Sequence, residues 1–127
     1  MWPDTLGIMG WTVEETGLGV VFDRSIPSFA EAELRTALDG LIPDHPVDRH
    51  VCHPGGAKVI TALETTLSLP EGSLDVERRV LAQNGNMSAP TVLFVLEQVL
   101  RAGTRGSLLA MALGPGFTLS VLPITVQ

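Results

Sequence analysis

From Ala89 to Arg101 the chain carries a helix-length stretch with no polar face. Val92, Leu93, Phe94, Val95, Leu96, Val99 and Leu100 cover every direction of a helical wheel, so a helix at about 89–101 has to be fully buried. Leaving even two such side chains in water forfeits about 3–6 kcal/mol, a large share of the roughly 5–15 kcal/mol that holds a typical domain together. A second layer must therefore cover it. Composition points the same way: 45% of the 127 residues are apolar and only 17% charged, below the usual quarter or so. A chain with so little water-facing surface is expected to want a partner.

The remaining segments supply the layers. Trp11 to Asp23 holds β-branched and apolar residues around Gly17 and Gly19, which predicts a hairpin. Ser28 and Glu31 have capping-box spacing, and Ala30, Leu34, Ala37, Leu38 and Leu41 recur at helical intervals until Gly40 and Pro43. A first helix is expected from about Phe29 to Leu41. Val47 to His53 predicts a short strand, ended by Pro54-Gly55-Gly56 before a second helix whose face is Val59, Ile60, Leu63 and Leu67. A mixed segment ending in Val80-Leu81 leads to Asn84-Gly85-Asn86-Met87-Ser88, with Ser88 as the expected N-cap of the buried helix. Two antiparallel strands, Ser107 to Leu113 and Phe117 to Val126, close around Gly114-Pro115-Gly116. The expectation is one α/β unit, a mixed sheet with helices on its faces.

Several function classes are disfavoured. The eight Lys and Arg residues are scattered singly in a chain of net charge -6, which leaves no basic stripe for nucleic acid. Apolar runs fall far short of the ~18 residues a membrane span needs. Asp4 stands where a signal peptide would be basic, so a soluble, cytoplasmic protein is expected. The single cysteine, Cys52, cannot form an internal disulfide. His45, His50 and His53 lack the companion spacing of a zinc site, and no metal is expected.

Three short motifs could carry chemistry. His53-Pro54-Gly55-Gly56 puts an imidazole at a strand end, where it could act as a base or polarise a substrate, although on these four residues alone a surface or capped histidine beside a turn is the commoner case. Asn86 opens the buried helix and could donate to a developing oxyanion, although Asn and Ser at a helix start are also ordinary caps. Gly114-Pro115-Gly116 could let backbone approach a ligand or be a plain turn.

Together and in this order, His53-Pro54-Gly55-Gly56, then Gly85-Asn86-Met87-Ser88 with Thr91-Val92-Leu93-Phe94-Val95-Leu96, then Gly114-Pro115-Gly116, resemble the C-terminal domain of type III polyketide synthases. Met9-Gly10-Trp11 through Ile26-Pro27 is similar to the opening of that domain, so the resemblance runs from about Gly7 to Leu122. The related ketoacyl synthase III enzymes usually follow the histidine with Gln-Ala-Asn and use Gly-Asn-Thr-Ser, whereas Pro54-Gly55-Gly56 and Met87 favour the polyketide branch. Plant chalcone synthases usually show Gly-Phe before the Gly-Pro-Gly turn, where this chain has Ala112-Leu113.

The resemblance implies a thiolase-like half domain spanning residues 1–127 of a homodimeric acyltransferase that condenses malonyl-CoA units onto an acyl-CoA starter. His53 and Asn86 would be catalytic. Gly55, Gly56, Ser88, Gly114, Pro115 and Gly116 would bind substrate or shape the cavity walls. Coenzyme A thioesters are substrates in this scheme, and no cofactor is expected. In this family the nucleophilic cysteine and the cations that grip coenzyme A lie in the N-terminal half. Cys52 and His53, adjacent on a strand, point to opposite faces, so Cys52 is expected to be a buried hydrophobe. The chain alone is then expected to be inactive, as a truncated piece, a proteolytic remnant or a split gene product. The alternatives are a non-catalytic dimerising half domain and a ketoacyl synthase III relative of fatty acid synthesis.

Overall fold

The computed structural model describes residues 2, 4–5, 7–23, 25–38, 41 and 46–127, and the side chains of all of these except 20, 22, 27 and 29–31. His45, and the helix stop expected at Gly40 and Pro43, lie outside the described residues. The elements in chain order are β1 (Met9–Glu14), β2 (Gly17–Phe22), α1 (Ile26–Leu38), β3 (Arg49–Cys52), α2 (Ala57–Thr66), α3 (Asp75–Asn84), α4 (Thr91–Arg101), β4 (Gly106–Gly114) and β5 (Thr118–Val126).

Strands β1 and β2 form the expected hairpin, closed at the Glu14↔Gly17 pair. Gly17 takes φ 137° there, a conformation that favours glycine. Helix α1 begins three residues before the expected start, because Asp23 Oδ1 accepts the Ser25 N–H (2.8 Å) and organises the turn that opens it. Ser28 is consequently inside the helix, its hydroxyl donating to the Ser25 carbonyl (2.9 Å), and it does not cap.

The main sheet has the order β3-β4-β5, with β3 parallel to β4 and β4 antiparallel to β5. A parallel pair needs a long crossover, and here α2, α3 and α4 lie between β3 and β4 in sequence. Alternation along the strands loads both faces. Cys52, Leu109 and Met111 join Leu34, Leu38, Ile60 and Leu63 in a core beside α1 and α2. Val51 and Leu108 join Val80, Val95 and Val99 in a core beside α3 and α4. The arrangement is a mixed α/β fold.

Two expectations need correction. The segment before Asn84 is a full helix, α3. Its inward stripe is Leu74, Glu77 and Val80, all fully buried, and a glutamate at the centre of that stripe disguises it as polar. The second concerns α4, which is not fully buried within this chain. Thr91, Val95 and Val99 face the sheet, while Leu93 is 61% exposed and Phe94 and Leu100 are each 39% exposed. Among the described residues a layer covers one side of α4, and the side that carries Leu93, Phe94 and Leu100 stands open.

Candidate active site

Strand β3 delivers His53. Its ladder with β4 runs one residue past the strand, through His53 N–H donating to the Met111 carbonyl (2.8 Å). The chain then turns sharply, with Gly55 N–H donating to the His53 carbonyl (3.0 Å). Gly56 caps α2 through its carbonyl, which accepts the Ile60 N–H (3.0 Å). The imidazole is partly buried, and burial holds its pKa below the ordinary 6.5, so the ring is neutral at pH 7. Nδ1 is buried and finds no hydrogen-bond partner among the described residues. A neutral imidazole carries one N–H, and no partner among the described residues holds that proton on Nδ1.

Helix α3 delivers Asn86. The helix ends at Asn84, and Gly85 with φ 70° donates its N–H to the Leu81 carbonyl (2.9 Å) and turns the chain away. Asn86 Oδ1 accepts the Ser88 N–H (2.9 Å), and Nδ2 donates to the Gly55 carbonyl (3.1 Å). This second bond joins residues 31 apart in sequence and brings the asparagine to the histidine turn. An amide nitrogen has two N–H groups, so one holds the side chain in place while the other remains for a ligand. Ser88 is not the side-chain cap of α4. It sits at φ 65° with its carbonyl accepting from the Thr91 N–H (3.1 Å) and hydroxyl (2.8 Å), and its own side chain is exposed.

The Gly114-Pro115-Gly116 turn joins β4 to β5 and is fixed from two sides. Gly116 N–H donates to the Met9 carbonyl (2.7 Å), and the Gly116 carbonyl accepts the Thr5 hydroxyl (2.9 Å). The following Phe117 is fully buried, and its ring meets Trp2 edge-on at 5.5 Å.

A cavity of about 930 Å³ opens between these pieces. His53, Gly55, Asn86, Ser88, Gly114 and Pro115 all line it, whereas Gly56 and Gly116 stand behind the wall as a helix cap and a turn anchor. Sequence reasoning missed other parts of the lining. Met9 and Trp11 enter from the hairpin, Met111 and Leu119 from the sheet, and Asp23 and Lys58 from the loop before α1 and the first turn of α2. Lys58 makes no ion pair among the described residues. A cation in the first turn of a helix opposes the helix dipole, and that was the signal available in the sequence.

Cys52 is fully buried in the core. Burial pushes its thiol pKa far up, with the nearby Glu77 carboxylate adding to the effect, so it has no thiolate to offer. That carboxylate and one other are buried and paired: Glu77 with Arg49 (2.7 Å) and Glu64 with Arg78 (2.6 Å). Among the described residues no group of three or more His, Cys, Asp or Glu is placed to hold a metal ion. Nor is any helix there long and apolar enough to cross a membrane.

The family model for chalcone and stilbene synthases, C-terminal domain, matches residues 1–126. The 1,3,6,8-tetrahydroxynaphthalene synthase of Streptomyces peucetius subsp. caesius is 42% identical over 92% of the chain and 33% of its own length. A putative chalcone synthase of Bacillus subtilis (strain 168) is 35% identical over 91% of the chain and 34% of its own length. The crystal structure of 1,3,6,8-tetrahydroxynaphthalene synthase from Streptomyces coelicolor A3(2), a bacterial type III polyketide synthase, superimposes with a TM-score of 0.90 at 25% identity, covering all of this chain and 38% of that one. The chain thus spans about a third of the length of the curated relatives it matches. With the motifs, the fold and the cavity in agreement, this chain belongs to the chalcone and stilbene synthase family, as the C-terminal domain of a type III polyketide synthase.

Proposed function

We propose that this chain supplies the histidine and asparagine of a decarboxylative condensing acyltransferase, and that an N-terminal half domain supplies the nucleophilic cysteine. The observation that carries the reading is the Asn86 Nδ2 to Gly55 carbonyl bond, which puts the asparagine against the histidine turn at one cavity. In the scheme, the cysteine thiolate attacks the thioester carbonyl of a starter acyl-CoA, and coenzyme A departs as its thiolate. Malonyl-CoA then loses carbon dioxide, and the electrons of the broken C–C bond pass onto the thioester oxygen as an enolate. The enolate carbon attacks the acyl-cysteine carbonyl, a C–C bond forms, and the cysteine thiolate is released.

Negative charge develops on oxygen in each of these steps. His53 Nε2–H and the second Nδ2–H of Asn86 are the donors that stabilise it, at the cavity that both side chains line. Lys58 at the cavity rim suits the anionic end of a coenzyme A thioester. The enzyme works as a homodimer in the cytoplasm, with coenzyme A thioesters as substrates and no bound cofactor.

The test is turnover of malonyl-CoA with a starter thioester. The purified chain alone is expected to be inactive, and mixing it with a cysteine-bearing N-terminal half is expected to restore product formation. Turnover by the chain alone contradicts the division of labour.

A further inference from the structure

We infer that Glu77 is a positioning residue that sets His53 and Asn86 against each other. This rests on the reading of those two side chains as the reacting groups. Among the described strands β3 has a neighbour, β4, on one side only. Backbone N–H groups alternate in direction along a strand, so while His53 N–H turns inward to the Met111 carbonyl, Cys52 N–H turns outward. Glu77 Oε1 accepts that outward N–H at 3.1 Å, one residue before the histidine. Its other oxygen, Oε2, accepts from Arg49 at 2.7 Å. Arg49 and Cys52 are the first and last residues of β3, so one carboxylate grips both ends of the strand. Arg49 also donates to the Ser73 carbonyl at the entry to α3, which binds the same strand to the same helix a second time.

Glu77 lies in the first turn of α3, and α3 runs without interruption to the Gly85-Asn86 turn. The carboxylate therefore docks the element that carries Asn86 onto the element that carries His53. The Asn86 to Gly55 bond closes the same link at the far end. Stability alone does not call for this arrangement, since well-packed apolar side chains often replace a buried ion pair at no loss. What apolar side chains cannot supply is an acceptor for the Cys52 N–H, and with it the fixed exit of β3 towards His53. Displacing a reacting group by about 1 Å can cost about a hundredfold in rate.

Two double variants isolate the acceptor, assayed in the enzyme assembled from this chain and its cysteine-bearing half. Arg49→Met/Glu77→Met removes both charges and the acceptor, while Arg49→Met/Glu77→Gln removes the charges and keeps an oxygen for Cys52 N–H. The Met/Met variant should lose about tenfold or more in kcat, with KM within about twofold and a melting temperature lowered only by the unpaired Cys52 N–H, the Met/Gln variant correcting for any loss of the ion pair itself. The Met/Gln variant should recover kcat to within about threefold. Equal kcat in both double variants and the parent overturns the inference.

If Met/Met does not fold, Glu77→Asp takes its place, because the shorter carboxylate cannot reach Arg49 and Cys52 together. Parental kcat in that variant overturns the inference as well. The NMR signals of the His53 ring and the Asn86 side-chain amide give a readout independent of turnover. They should shift in Met/Met and return in Met/Gln, and signals that stay put overturn the inference. His53→Ala, run alongside, keeps the two readings apart, because unchanged turnover there sinks the functional reading while the NMR signals still judge the placement.

Discussion

The open face of α4 gives a quantitative prediction through Leu93→Gln. Leu93 is 61% exposed, and full burial of a leucine side chain is worth about 1.5–3 kcal/mol. Covering it with a partner layer should contribute about 1.3 kcal/mol, the exposed share of a mid-range value. Glutamine at that position loses this contribution and buries an amide without designed partners, at a further cost of about 1–3 kcal/mol. Binding of the chain to its N-terminal half should then weaken by about 50- to 1400-fold. The chain's own stability should fall by less than about 1 kcal/mol, because only the smaller part of Leu93 packs within it and glutamine is nearly as good a helix former as leucine. Isothermal titration calorimetry of the two halves reads the affinity, and thermal unfolding of the chain alone reads the control. An unchanged dissociation constant would refute the reasoning, since the exposed stripe would then face water in the assembled enzyme too.

Three other outcomes follow from the site and its surroundings. Cys52, fully buried and with its thiol pKa raised, should not react with a thiol reagent at pH 8 until denaturant is added, and Cys52→Ala should keep turnover within about threefold of the parent; reaction of the native thiol would contradict its place in the core. The hydrogen bond from Arg78 holds the Glu64 carboxyl at about 2, below the ordinary 4.5, so its contribution to stability is complete above pH 4.5 and is lost as pH falls towards 2. Urea midpoints measured from pH 7 to 2.5 should show the gap between parent and Glu64→Gln closing over that window, and a constant gap would contradict the pairing. Asn86→Asp keeps the acceptor for Ser88 N–H but sets a carboxylate against the Gly55 carbonyl, so kcat should fall about 100- to 1000-fold with little change in melting temperature; a kcat within threefold of the parent would remove the asparagine from the oxyanion site.

Much of this fold was legible because local patterns and tertiary demands coincide. The alternation of Leu119 and Val121 with Thr118 and Ser120 after a glycine turn gives β5, although Phe117 stays in the turn at φ 47°, and the apolar spacing of Ile60 and Leu63 gives α2. Legibility failed where a tertiary contact overrode the local signal. Glu77 looks like a solvated residue until Arg49 and the Cys52 N–H are found facing it, so α3 went unread. Ser28 and Glu31 have the spacing of a capping box, yet Asp23 starts the helix first.

The site divides in the same way. His53 and Asn86 stand out as motifs, but their meeting depends on a side-chain bond to the Gly55 carbonyl that no spacing rule encodes. The hairpin's contribution of Met9 and Trp11 to the cavity is likewise a product of the fold. For α4 the sequence was informative about a larger object than this chain, since its uniform apolarity asks for a layer beyond what these residues supply.

The most direct test is the rate of malonyl-CoA decarboxylation by the two assembled halves, compared with the same assembly carrying His53→Ala. With one of the two donors proposed to stabilise the enolate removed, the rate should fall by about 100- to 1000-fold while the melting temperature holds. A His53→Ala assembly that decarboxylates at the parental rate would contradict the claim that this domain brings the histidine to the reacting oxygen.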